Sequence, residues 1–269
     1  MEESHRPEEL KDRDLSRKAR GPGFALLFSC VVLAGCLASN PGVVHETDEL
    51  RIVSVGVAAA NVFVVSRSGK QLMIDAGNPG DEAQIEAHMR AQGIDPGGID
   101  YLILTHGHGD HGGTAAYFQR VHGVKVIGGE GDRAMIQNGG RAEVCPTSLL
   151  ARAVLWSLRG VSYPPFELDV PISGDYDLAA LGVEGHILHW PGHTDGSLVV
   201  TFDDRVFVGD LIRGGILSAE TPTTHFFMCD LDHNREQIRR LTEKTDLGTW
   251  YPGHFGPFPR AAVQEYLGD

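Results

Sequence analysis

Four cysteines among 269 residues are too few for a disulfide framework, and none sits in a CxxC pair, so a zinc ribbon or finger is excluded as well. Basic residues are also scarce. Against 36 Asp plus Glu stand 23 Lys plus Arg, a net charge of −13 that repels phosphate backbones and argues against a nucleic-acid partner. Long apolar runs are missing too: Phe24 to Gly35 (FALLFSCVVLAG) would extend about 18 Å as a helix against a hydrocarbon core of roughly 30 Å. A permanent transmembrane helix is therefore the weaker reading of that run. No period of 20 to 50 residues recurs, which excludes a solenoid. What remains, 42% hydrophobic and 22% charged, can bury a sizeable core and is neither disordered nor collagen-like, with one domain as the default. Histidine is the residue in excess, and the 13 histidines cluster.

Arg17, Lys18 and Arg20 precede the apolar run, which reads as a secretory signal ending in Leu33-Ala34-Gly35-Cys36. That tetrapeptide resembles a bacterial lipobox, in which the cysteine is lipidated and becomes the first residue of the mature chain. The alternative is an uncleaved anchor or buried helix that happens to end in Cys. The expected organisation is a signal peptide over 1–35, a tether over 36–49 that includes Ser39-Asn40-Pro41-Gly42, and one globular domain over 50–269. Cleavage would remove six basic and six acidic residues, leaving the net charge at −13. The expected location is the bacterial cell envelope, with the membrane as a partner through lipid on Cys36; Leu37 in place of Asp resembles the context that sorts lipoproteins to an outer membrane. Cys145 and Cys229 then remain, either paired or as two buried thiols.

From Leu50 onward short apolar strands alternate with helices. RIVSVGV (51–57), NVFVVSR (61–67) and QLMIDAG (71–77) read as strands, with Ser68-Gly69 as a hairpin turn. Asp81 caps an expected helix over 81–92 that Gly93 stops. IDYLILT (99–105) is apolar enough for a strand buried on both faces; a helix over 113–122, a strand over 125–128 and a stretch over 130–165, helical where regular, follow. The second half repeats the order with strands over 183–190, 198–202, 205–208 and 249–251 and helices over 232–244 and 260–267. Two halves of sheet followed by helix point to two β-sheets packed face to face with helices outside.

Thr105-His106-Gly107-His108-Gly109-Asp110-His111 follows the most buried of these strands. Residues two apart leave a strand on one side, so His106 and His108 can converge on one metal while the turn carries Asp110 and His111 towards a second position. The intervening glycines permit close backbone approach. Four potential ligands in six positions are not a chance core histidine.

The HxHxDH run, with Pro191-Gly192-His193-Thr194-Asp195-Gly196-Ser197, Gly209-Asp210, Pro252-Gly253-His254 and the strand-ending Asp75-Ala76-Gly77, resembles the metallo-β-lactamase-fold hydrolase superfamily over about residues 50–269. The resemblance implies an α/β fold, a four-layer αβ/βα sandwich with its site at one edge between the sheets. It also implies that His106, His108 and His193 hold a first metal, that Asp110, His111 and His254 hold a second, and that Asp210 bridges them. Five imidazoles and two carboxylates suit two divalent ions, zinc first, with manganese or iron also accommodated. A hydroxide bridging two such cations would attack an acyl carbonyl, with Asp110 as the catalytic residue that orients it and carries a proton to the leaving group. Asp75 is either an acceptor for a ligand imidazole N–H or only a turn-former beside Gly77.

Departures from subfamilies narrow the expectation. β-Lactamases of this family carry Cys or Ser where this chain has Asp210, and glyoxalase II enzymes share the Asp but continue into a helical glutathione-binding domain, whereas 15 residues follow His254 here. Lactonases match the ligand set better. The expected activity is hydrolysis of an ester, thioester, lactone or related acyl bond in a small molecule; a mononuclear iron enzyme resembling persulfide dioxygenases, a β-lactamase and a non-catalytic envelope binding protein are the alternatives. Residues 145–166, rich in Leu and Val and containing Trp156, read either as an apolar lid or as a helix packed at a sheet edge. His225, beside Phe226 and Phe227, is either a substrate contact or ordinary loop packing, and His122, His186 and His189 read as structural or exposed.

Overall fold

Successive apolar residues in the first strands face opposite ways and enter different cores, the period-two signature of a sheet covered on both faces. Val64, Met73, Leu102 and Val126 pack with helix residues Ile85, Met89 and Phe118, whereas Phe63, Leu72, Ile74, Ile103 and Ile127 pack against Ile187, Leu198, Val200, Phe202 and Phe207 of a second sheet. The second sheet divides in the same manner, sending Val199, Val206 and Trp250 to Ile238, Leu241, Val263 and Leu267 on its outer helices. Three apolar layers thus separate four layers of backbone, the expected αβ/βα sandwich.

The computed structural model describes residues 41–268 except 59, 143, 159–160 and 245–246; the expected signal peptide (1–35), Cys36 and the side chain of Trp156 lie outside the described residues. Sheet one has the order β1 (Gly42–Glu46), β2 (Leu50–Ser54), β3 (Phe63–Arg67), β4 (Lys70–Ile74), β5 (Tyr101–Ile103), β6 (Lys125–Gly129), β7 (Val170–Ile172), antiparallel up to β4 and parallel from β4 onward. The parallel crossovers run through α1 (Glu82–Ala91) and α2 (Ala115–His122), while α3 (Arg133–Gln137) and α4 (Leu149–Leu158) fall between β6 and β7. Sheet two has the order β15 (Phe258–Pro259), β14 (Thr249–Pro252), β11 (Arg205–Gly209), β10 (Leu198–Phe202), β9 (His186–His189), β8 (Tyr176–Asp177). Its outer face carries α5 (Leu231–Glu243) and α6 (Arg260–Leu267), and a separate ribbon pairs β12 (Arg213–Gly214) with β13 (Pro222–Thr223).

Several expectations are corrected. The tether expected over 36–49 contains β1, which pairs antiparallel with β2, so the sheet begins at Gly42; the exposed Val43 and Val44 give this edge strand no buried face to announce it. The strand expected over 99–105 is confined to Tyr101–Ile103, and before it Asp95 accepts the Gly97 N–H where Pro96–Gly98 wind into a 3-10 turn. Asp81 does not cap α1 with its side chain; its carboxylate turns back to the N–H and side-chain amide of Asn78. Ser68 and Gly69 both have positive φ (53° and 72°), the mirror-image turn that matches strand twist in a two-residue hairpin. Of the two readings of Cys145 and Cys229, the structure has the disulfide, closing a separation of 84 residues.

The two sheets are tied at opposite ends. At the end of β3 the buried Arg67 forks to Asp203 (2.7 and 3.1 Å) and Glu184 (2.7 Å), joining sheet one to the loops of sheet two. At the far end Leu198 donates to the Thr105 carbonyl at 2.8 Å. The chemistry-bearing loops gather at this second end.

Candidate metal centre

Strand direction explains why residues so far apart in sequence meet. β4 and β5 are parallel, so Asp75 and the His106–His111 loop leave sheet one at the same edge. In sheet two β9 and β11 both run antiparallel to β10, and β11 is parallel to β14; these three strands therefore deliver His193, Asp210 and His254 to one edge, facing the first loop. All seven sequence-identified residues come together there.

Asp210 lies at the centre. Its Oδ2 is 3.8 Å from His106 Nε2, 3.4 Å from His111 Nε2, 3.8 Å from His193 Nε2 and 3.4 Å from His254 Nε2. His108 Nδ1 and His193 Nε2 face each other at 2.9 Å, and Asp110 Oδ2 lies 3.3 Å from His254 Nε2. The donor atoms of His106, His108 and His193 lie within 4.8 Å of one another, as do those of Asp110, His111 and His254. Those of His106, His111 and Asp210 form a further such group, which joins the two.

The loops are held by residues that aim the ligands. Asp75, at φ 60°, accepts the Thr105 N–H (2.7 Å), the Thr105 hydroxyl (2.8 Å) and His111 Nδ1 (2.9 Å), which turns His111 Nε2 into the centre. It is thus both a turn residue and an imidazole acceptor. Asp132, fully buried, joins the two histidine loops by accepting Gly107 N–H (2.9 Å), the Thr194 hydroxyl (2.8 Å) and Gly196 N–H (3.0 Å). Tyr163 donates to the Gly107 carbonyl at 2.6 Å, so part of the segment after α4 braces the loop, whereas Leu149 and Leu150 on that helix stand exposed. Asn61 fastens the His254 turn through Pro252 and Phe255 carbonyls. A Cβ at Gly253 would lie 2.3 Å from Asp210 Oδ1 and 2.5 Å from His111 Cε1, so only glycine fits that turn. Asp132 and Asn61 escape a reading of the sequence because each is a single polar residue outside any motif, whose partners lie 25 or more positions away.

Charge in the cavity is set by burial and by the two central carboxylates. Burial pushes His106 and His193 well below the ordinary imidazole value, and neighbouring imidazoles add to this. Burial also opposes charge on both His111 and His254, yet Asp210, Asp75 and Asp110 outweigh it at His111, raising it well above its ordinary value, and Asp210 and Asp110 outweigh it at His254, raising it to about 10. Burial would raise Asp210, but His225, His254 and His111 hold it well below the carboxylate range. The pocket draws positive charge.

A divalent ion fits this pocket on a direct observation: His106 Nε2, His111 Nε2 and Asp210 Oδ1 are buried with no hydrogen-bond partner, a costly state for polar atoms unless a cation takes their lone pairs. Donors left open in this way, on loops braced from behind, define a metal-binding centre. The chain belongs to the metallo-beta-lactamase superfamily, whose sequence profile matches residues 55–254. A probable metallo-hydrolase of Methanocaldococcus jannaschii is 25% identical over 76% of this chain and 91% of its own. A hydroxyacylglutathione hydrolase of Anaeromyxobacter dehalogenans is 27% identical over 56% of this chain, and the match spans 45% of that enzyme, about half its length. Among solved structures, a beta-lactamase from Chitinophaga pinensis superposes with a TM-score of 0.60 at 18% identity, covering 86% of this chain and 91% of that one. A subclass B3 metallo-beta-lactamase of Bradyrhizobium japonicum gives 0.54 at 16%, covering 78% and 76%. These two share the fold.

Proposed function

We propose that the protein is a dinuclear metal-dependent hydrolase of an ester, thioester or lactone bond in a small molecule. The observation that carries this reading is the pair of donor groups, His106/His108/His193 and Asp110/His111/His254, joined through Asp210. Two divalent ions, most suitably zinc, would supply Lewis acidity there, lowering the pKa of water towards neutrality and polarising the acyl carbonyl. Asp110 stays ionised: burial would raise its carboxyl, but His111 and His254 hold it below the usual range. With its side chain 35% exposed it reaches both the centre and the entrance, placed to take a proton from attacking water and return it to the leaving group. Asp75 and Asp132 hold the ligand loops still while this happens.

The second group argues against a one-metal oxygenase, because Asp110, His111 and His254 would then be a converging set of donors without a purpose. Asp210 argues against β-lactam hydrolysis, and the relatives named as hydroxyacylglutathione hydrolases favour an acyl substrate. Turnover of the β-lactam nitrocefin should accordingly be at least about 100-fold below that of a matched aryl ester, thioester or lactone, a difference near 3 kcal/mol in transition-state binding. Comparable kcat/KM on nitrocefin would overturn this specificity.

The disulfide supports an oxidising compartment, and with the lipobox-like Leu33–Cys36 we place the protein at the cell envelope on a lipid anchor. A fatty-acid analogue should label the wild type and not Cys36→Ala, which should accumulate as precursor. Unlabelled wild type would show the motif to be coincidental.

A further inference from the structure

His225 stands outside the seven-residue set, yet its side chain is 5% exposed and its Nε2 is the closest nitrogen to Asp210 Oδ2 among the described ion pairs, at 3.0 Å. It sits over the join between the two donor groups, edge-on to His193 (centroids 4.9 Å apart) and stacked on His254 (5.4 Å). Its backbone is clamped. Thr147 N–H donates to the Phe226 carbonyl and Met228 N–H to the Cys145 carbonyl, both at 2.9 Å, and the Cys145–Cys229 disulfide closes this short ladder. The guanidinium of Arg213 lies 3.9 Å over the Phe226 ring from the other side.

The other ring nitrogen fixes what His225 offers. Phe227 N–H donates to His225 Nδ1 at 3.2 Å, while the Phe227 carbonyl lies 3.1 Å from the same nitrogen. A proton on Nδ1 would serve the carbonyl and orphan the amide, and an orphaned N–H is the rarer and costlier defect. The proton therefore belongs on Nε2, so His225 aims a donor at Asp210 Oδ2.

We propose that His225 is a catalytic hydrogen-bond donor of this centre and not an eighth metal ligand: its Nε2–H passes from Asp210 to the acyl oxygen of the substrate as that oxygen gains negative charge. This rests on the acyl-hydrolase reading above. A donor held by a cross-linked ladder needs no reorganisation when charge develops, the condition under which such a group contributes most.

His225→Ala and His225→Gln, loaded with zinc, test it through metal content, p-nitrophenyl acetate kinetics and the binding of phenylphosphonate, a stable anion resembling the tetrahedral species. Both variants should keep the wild-type metal content, and kcat of His225→Ala should fall by about 10²-fold with KM little changed. His225→Gln, which keeps an N–H donor, should recover at least about a tenth of the lost rate, and phenylphosphonate should bind His225→Ala about tenfold more weakly or worse. Loss of a metal equivalent from His225→Gln would make it a ligand and overturn the proposal, as would unchanged kcat in His225→Ala. Should the wild type fail to turn over the ester, the acyl reading fails on its own and the phosphonate decides. Weaker binding by the variants with full metal upholds the donor; equal binding, or none by the wild type, removes it.

Discussion

Asp110→Asn should leave the fold intact and lower kcat on an acyl substrate by two or more orders of magnitude. The substitution is isosteric, and Asp110 is only partly buried, so neither packing nor the HxHxDH turn changes shape. What is lost is charge and proton affinity together. The carboxylate faces His254 Nε2 at 3.3 Å and lies 3.9 Å from His111 Nε2; an amide there neither completes the second donor group nor carries a proton from water to the leaving group. Circular dichroism and Tm near wild type, beside a kcat reduced about 100-fold or more, is the expected pair of results. Near-wild-type turnover would show that another residue handles the proton.

What could be read from the sequence was whatever combines a local motif with strict alternation. His106 to His111 form a dense local pattern, and His193, Asp210 and His254 each follow an apolar strand and a glycine, so the structure brings together all seven. Alternation such as that of Phe63, Val64 and Val65 made the sandwich legible, because each apolar side chain had a core to enter. The short strands β7, β8, β12, β13 and β15, of two or three residues each, hold too few positions to show a period. β1 was hidden for the opposite reason: an edge strand with its valines exposed looks like linker. The residues that aim the ligands were legible only where they adjoin a motif, as Asp75 does with Gly77. Asp132, serving Gly107, Thr194 and Gly196 at once, becomes visible only when both sheets are in place.

His225 shows the same limit within the site. Its ring lies in the centre on a segment that the Cys145–Cys229 disulfide ties to residues 84 positions away; the sequence leaves that pairing open, and leaves His225 as either a substrate contact or loop packing.

Stripping the metal should have the largest effect of all, abolishing turnover by about 10³-fold or more and lowering stability at the same time. Activity depends on Lewis acidity that imidazole and carboxylate groups do not themselves supply, since as ligands they donate electron pairs. Stability falls because the same donors, among them His106 Nε2, His111 Nε2 and Asp210 Oδ1, are buried away from water with no protein partner. A ligand that binds the folded chain alone contributes about 2.7 kcal/mol at a free concentration 100 times its Kd, so chelation should move Tm down by several degrees. Dialysis against dipicolinate, then elemental analysis, calorimetry and titration back with zinc, measures all three quantities. Turnover should return with about two equivalents per chain, one for each donor group joined at Asp210. Full activity in protein stripped below about a tenth of an equivalent would end the metal-dependent reading, and recovery complete at one equivalent of iron would end the dinuclear one.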